Sequence, residues 1–373
     1  MKKSCSNSYA VIGLGFGDEG KGVVTNSLAR SLRGPSVVVR YSGGQQAGHT
    51  VTHPDGTSHV FANFGSGTMQ GTPTYWSEHC TFDPVGVITE LEILKKKGFK
   101  PVLYVDKNCP VTTPYDKYIN QKSKSNLDHG TCGVGVGATK QREENFQSLL
   151  AGDLLFDFVL KTKLSLIQSH YGVKVDIEWF LECIRLVLRE TDIEFVDNVT
   201  TTDNYIFEGS QGLLLDQNIG FFPHVTRSNT GSKNIRDLGF DPYFYLVTRA
   251  FQTRHGNGPM TNLELPHNIK DNPFETNKTN QYQGEFKRSL LDLDLLKYGI
   301  QRDYLIRETL RKCLVITCMD LVKDEYRYTI GGKIKAHSNP EDFAKAIANH
   351  LGIWRVHTID SPSGGLNDHN DSM

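Results

Sequence analysis

Residues 9–22 read YAVIGLGFGDEGKG, and no other stretch restricts the possible fold so tightly. The apolar run at 10–14 reads as a buried strand, a glycine-rich turn follows, and residues 21–32 carry helix-compatible spacing. A strand, a phosphate-sized loop and a helix in that order put an anion site at the helix N-terminus, where free backbone N–H groups and the helix dipole both favour negative charge. Two generic patterns compete here. Gly15-x-Gly17-x-x-Gly20 fits a dinucleotide fingerprint, whereas Gly15-x-x-x-x-Gly20-Lys21 fits a P-loop except that Gly22 stands where Ser or Thr would hold Mg²⁺. Asp18 and Glu19 set the loop apart, because carboxylates beside a phosphate repel it unless a metal or a proton transfer requires them. The plain alternative is a surface turn rich in glycine and aspartate.

A β-branched strand is expected at 36–41, and the loop leaving it completes the stretch RYSGGQQAGHT at 40–50. Ligands of parallel sheets collect beyond the carboxyl ends of the strands, so both loops should open on one crevice. Together the two stretches resemble the adenylosuccinate synthetase family, whose pattern is GDEGKG followed by NGG-x-NAGHT. Further resemblances run along the chain. DHGTCGVGVG at 128–137 resembles the family's GTTGRGIGPAY loop, with Cys132 in place of a Thr, and Ala138 then stands in place of the Pro. EGSQG at 208–212 resembles EGAQG, TRHGNGP at 253–259 resembles TRVG-x-GPFPTE, and TCMD at 317–320 resembles TKLD with Cys318 in place of the Lys. The main departure is at 276–292, where the family's TTGR-x-RR-x-GW-x-D gives way to a polar Thr/Asn/Gln run ending in Lys287 and Arg288. FGSGT near 64 and the TNQYQG run look most like the viral branch that makes 2-aminoadenylosuccinate nucleotides.

Composition agrees with a nucleotide enzyme that meets its anions locally. Lys and Arg (41) nearly balance Asp and Glu (42), giving a net charge of −1 and no bulk attraction to nucleic acid or membrane. The seven cysteines form no CxxC pair, and their odd number argues against a disulfide framework, so a reducing cytoplasm is expected, the host's if the chain is viral. No apolar run is long enough to span a bilayer, and the apolar N-terminal stretch runs straight into Asp18-Glu19, so it belongs to the fold. The fold class expected is α/β, one domain over 1–373 with a mainly parallel central sheet, a P-loop-like nucleotide site and inserted loops. Helices are expected at 84–97, at 144–171, at 175–191 and at 340–351 with Asn339 as cap. Strands are expected at 101–106, 205–207, 241–254, 313–317 and 353–359, and disorder after 365.

The resemblance implies a ligase that joins L-aspartate to a 6-oxopurine nucleoside monophosphate, dGMP in the viral branch or IMP in the ordinary one, with ATP or GTP as phosphoryl donor. It implies Asp18 as base, His49 as acid and electrostatic stabiliser, and Lys21 on the phosphates. Gly15, Gly17, Glu19, Gly20, Gly22, Thr50 and Asp320 would meet the triphosphate. Asp18, Ser42, Gln46, Thr131, Cys132, Arg142, Gln211 and Thr226 would meet the monophosphate, Arg142 from the neighbouring subunit of a homodimer, with the small Ser42 leaving room for a 2-amino group. Thr279, Asn280, Gln283 and Arg288 would meet aspartate, with Arg288 as carboxylate clamp. Mg²⁺ would be held by Asp18 and the Gly48 carbonyl together with phosphate oxygens. Two readings from other classes stand beside this: a P-loop switch, which leaves His49 unexplained, and a dehydrogenase, disfavoured because Arg40 sits where an acidic ribose-binding residue would stand.

Overall fold

In the computed structural model the described residues are 7–123, 131–145, 147–199, 201–272, 275, 284–361 and 363–369. The glycine loop's strand, β1 (Asn7–Gly13), lies inside a ten-stranded sheet. On one side of it come β8 (Asn204–Gly212), β2 (Ser36–Arg40), β5 (Thr74–Trp76), β6 (Leu103–Asp106) and β7 (Ile193–Val196). On the other side come β9 (Tyr243–Arg249), β13 (Lys312–Thr317), β16 (Val356–Thr358) and β17 (Asn367–Asp368). Every pairing is parallel except β16 with β17. A parallel sheet is covered on both faces, which is why Ala10, Val11 and Ile12 form an unbroken apolar run and are all fully buried. The expected fold class, α/β around a mainly parallel sheet, is therefore the observed one.

Helix α1 (Lys21–Ser31) follows the glycine loop directly, and Pro84–Lys96 and Pro340–Leu351 match the expected helices, the latter capped by Asn339 on the N–H groups of Glu341 and Asp342. Three expectations are corrected. The helical stretch expected from 144 begins only at Asp157, because the backbone at 149–151 bonds to Val111 and Cys109 and Asp153 caps the N–H of Leu150. The strand expected over 241–254 is two: β9 stays in the central sheet, while β10 (Gln252–His255) leaves it to pair antiparallel with β11 (Phe286–Ser289). The tail expected to be disordered instead pairs through Asn367 and Asp368 with β16; residues 370–373 lie outside the described residues. Among the described residues no helix is long and apolar enough to cross a membrane.

The carboxyl ends of β1, β2, β8, β9 and β13 point the same way and carry the loops of interest. Between β1 and β8 the register jumps from Val11↔Glu208 to Gly13↔Gly212. A bulge of this kind re-aims side chains at the rim of a sheet, and here Ser210 and Gln211 reach the cleft above it.

Candidate active site

The loops converge on one cleft of about 1390 Å³. Its floor is the glycine loop. Asp18 sits in the left-handed region (φ 61°), a conformation side chains other than Gly, Asn and Asp rarely adopt, so something must hold it. Three side chains from neighbouring strand ends do so by taking consecutive loop carbonyls: Thr253 Oγ1 donates to Gly17 (3.3 Å), Arg249 Nε to Asp18, and Thr317 Oγ1 to Glu19 (2.6 Å). Arg249 is itself held by Glu275 (3.0 Å) and packs over the rings of Phe251 and Phe286. Burial raises the Asp18 carboxyl above its ordinary value, against the opposing pull of the Arg249 and Lys21 cations, while Glu19 and Glu275 push it further up.

Glu19 is turned inward. Its carboxylate accepts the N–H groups of Gly15 (3.1 Å) and Gly17 (2.8 Å) and pairs with Lys21 Nζ at 2.5 Å, with both side chains almost fully buried. Gly13 makes this possible, since a Cβ there would lie 2.3 Å from the Glu19 carboxylate. Gly15 and Gly17 thus spend their donors on Glu19 and do not line the cleft, which corrects their expected place on a phosphate. Gly20, Lys21 and Gly22, at the start of α1, do line it, and Gly20 caps the helix with φ 90° and no side-chain cap, leaving first-turn N–H groups to a ligand.

Gly22 also joins the two sequence motifs, because a Cβ there would meet the Cβ of His49 at 2.7 Å. His49 opens β3 (His49–Thr52) and faces the same cleft as Asp18. Its Nδ1 bonds to Glu208 Oε1 at 2.8 Å, and its Nε2 has no partner among the described residues. Glu208 is fully buried and also accepts from the Ser66 hydroxyl and the Ser66 N–H (3.2 Å), with Arg40 at 3.7 Å. Burial alone would raise the Glu208 carboxyl; the His49 charge and hydrogen bond, Arg40 and Ser66 outweigh it and bring it down to about 2. Burial meanwhile lowers His49 despite Glu208. The pair therefore rests as carboxylate and neutral imidazole, proton on Nδ1 and lone pair on Nε2, and an anion arriving at Nε2 would favour the imidazolium.

Of the remaining expected residues, Gln46, Gly48, Thr50, Thr131, Cys132, Gln211, Thr226 and Asp320 line the cleft. Both amide atoms of Gln46 are buried with no partner among the described residues, and Gln211 Oε1 sits over Gly17, 2.8 Å from where a Cβ would be. Three expectations are corrected. Ser42 lies behind the wall, bonded to Ser210 Oγ at 3.0 Å, and Ser210 is the one lining the cleft. Arg142 is buried in an internal bridge to Asp116 (2.9 Å) and to the carbonyls of Val111 (2.8 Å) and Gln147, so it cannot reach a partner's ligand. Arg288 turns away to Asp271 (2.7 Å) and the Lys270 carbonyl (3.0 Å) and does not line the cleft. Thr279, Asn280 and Gln283 lie outside the described residues.

Sequence reasoning missed Glu208, Arg249, Arg254 and Ser210. Glu208 alone carried a signal, an acid directly after the apolar run of a buried strand; the structure pairs it in register with Arg40 of β2.

A family model described as adenylosuccinate synthetase matches residues 10–353. The adenylosuccinate synthetase of Thermoplasma volcanium is 31% identical over 381 residues, covering 94% of this chain and 86% of that protein. That of Thermoplasma acidophilum is 30% identical, covering 87% of this chain and 79% of its own. Among solved structures, the fully ligated adenylosuccinate synthetase from Plasmodium falciparum superposes with a TM-score of 0.78 at 17% identity, over 97% of this chain and 100% of that one. The succinoaminodeoxyadenylate synthetase of cyanophage S-2L, bound to dGMP and to dATP as an energy donor, superposes with a TM-score of 0.65 at 14% identity, over 98% and 95%. These two likenesses bear on the fold; the family model and the sequence relatives place the chain in the adenylosuccinate synthetase family, whose members are ligases that form a C–N bond.

Proposed function

We propose that the protein joins L-aspartate to C6 of dGMP at the expense of a purine nucleoside triphosphate. The observation that carries this reading is the meeting of Asp18 and His49, from two strand-end loops, in one nucleotide-sized cleft with Lys21 at the start of α1.

A purine 6-oxygen is a poor leaving group. Asp18 takes the proton from N1, which makes O6 nucleophilic; O6 attacks the γ-phosphorus, and the nucleoside diphosphate leaves. The aspartate amine then adds at C6 and expels phosphate. A fixed carboxylate suits the first step better than a strongly basic one, because position and exclusion of water lower the barrier. His49 Nε2 serves the O6 and phosphoryl oxygens as donor once protonated, with Glu208 stabilising the imidazolium. Lys21 and the α1 N-terminus meet the β- and γ-phosphates, Gln46, Thr131 and Thr226 the 5′-phosphate, and Gln211 the base.

The family implies Mg²⁺. The donors facing the cleft fit it: the Asp18 carboxylate and the Gly48 carbonyl are hard oxygens, and among the described residues no cluster of three His, Cys, Asp or Glu forms a separate metal cage. When bound, the cation neutralises charge on the phosphate oxygens during transfer.

Guanine differs from hypoxanthine by an exocyclic amine that needs an acceptor, and the Ser210 hydroxyl on the cleft wall, bonded to Ser42 behind it, supports dGMP. IMP is the second reading, favoured by the sequence relatives, which are named as ordinary adenylosuccinate synthetases. Phosphate release is measured with aspartate, ATP or GTP, and dGMP or IMP. Release should require all three components and be faster with dGMP. Equal release without aspartate would overturn the ligase reading, and faster release with IMP would overturn the choice of acceptor.

A further inference from the structure

Arg254, on β10, is only 2% exposed and lines the cleft, yet among the described residues no acid pairs with it. Its Nη1 donates to the Pro259 carbonyl (3.0 Å) and its Nη2 to the His224 carbonyl (3.2 Å), while Phe16 of the glycine loop lies 4.3 Å beneath the guanidinium. Among the described residues its buried Nε has no hydrogen-bond partner. Burying a cation without a counter-charge is costly, so an arrangement of this kind is stabilised when an anion completes it. Lys21 and Arg249, also on the cleft, are each already matched by an acid.

Gly258 secures the place, since a Cβ there would lie 1.8 Å from Nη2. The β10–β11 ladder sets Arg254 opposite Lys287 and Thr253 opposite Arg288. Arg254 and Lys287 therefore share one face of the hairpin that ends the 276–292 segment, whereas Arg288 is committed to Asp271. Burial pushes the Arg254 guanidinium down to about 10, so it stays cationic at neutral pH.

We infer that Arg254 is the carboxylate receptor for the amino-acid substrate, in the role that sequence reasoning gave to Arg288. The inference rests on the ligase reading above. A planar guanidinium whose Nε meets no described residue matches a carboxylate in two-point contact, and Phe16 holds its plane.

The test uses the full chain in three forms, wild type, Arg254→Lys and Gly258→Ala, the last keeping the charge but forcing the guanidinium out of place. Phosphate release is followed with aspartate varied and both nucleotides saturating, then with the monophosphate varied; calorimetric binding of the monophosphate checks that each variant is folded. The apparent KM for aspartate should rise on the order of 10- to 100-fold in both variants, the range expected for a charged hydrogen bond. The KM for the monophosphate should stay within about threefold, since none of its expected contacts is removed. An unchanged aspartate KM in both folded variants overturns the inference. A rise confined to the monophosphate KM also overturns it, assigning the guanidinium to phosphate. Wild-type protein that ignores aspartate would instead refute the ligase reading itself.

Discussion

Replacing Glu208 with Gln keeps the volume of a fully buried side chain but removes its charge and half its acceptors. In the native protein one carboxylate oxygen serves His49 Nδ1 (2.8 Å) and the Ser66 hydroxyl, and the other serves the Ser66 N–H (3.2 Å) and faces Arg40 (3.7 Å). An amide has one oxygen. If it turns that oxygen to His49, its NH₂ opposes the Ser66 N–H and leaves Arg40 buried without a counter-charge; if it turns its NH₂ to His49, the imidazole proton must move to Nε2. Breaking a buried charge pair costs about 3–5 kcal/mol. The downward shift of the Glu208 carboxyl has the matching sign, since its surroundings favour the charged form over the neutral one. Glu208→Gln should therefore lose about 3 kcal/mol in urea unfolding, and its kcat should fall about 10²- to 10⁴-fold if His49 acts as acid. Because the shift is downward, Glu208's contribution is complete above about 4.5 and disappears as pH falls toward 2, so wild type and variant should converge in stability there. Nitrogen NMR should place the His49 proton on Nδ1 in the wild type. A wild-type proton on Nε2, or a variant with unchanged urea midpoint and kcat, would refute the reasoning.

Asp18→Asn should abolish turnover, below about 10⁻³ of wild type, while calorimetry still detects both nucleotides, and retained turnover would remove Asp18 as base. Arg249→Met frees the Asp18 carbonyl and removes the ion pair to Glu275, so kcat should fall roughly 10- to 100-fold while nucleotide affinity changes little; equal losses in both would mark Arg249 as a general support instead. Arg142→Met strands the buried Asp116 and should cost about 3 kcal/mol in denaturant unfolding. Mixing it with wild-type chains should restore no activity to its own sites beyond what the folded fraction explains, contrary to a residue that serves a neighbour's ligand.

The glycine loop, the second loop at 40–50 and the central strands were legible in the chain because each rests on local chemistry. A β-branched run can be read as a buried parallel strand, and GDEGKG before a helical spacing fits an anion site at a helix start. Asp18, Lys21 and His49 were singled out by the family resemblance of the two motifs, and the cleft brings them together. What could not be read is which way each long charged side chain turns. Arg142, Arg254 and Arg288 look alike in sequence, yet Asp116 takes the first, Asp271 takes the third and no acid among the described residues meets the second. Guanidinium direction depends on partners far along the chain, and the Glu208 bulge and the split of 241–254 depend on strand pairings between residues some two hundred positions apart, or in different sheets. Local spacing determines the strand, the loop and the setting of the loop carboxylate; only long-range packing decides which charges are spent on the protein and which remain for a substrate.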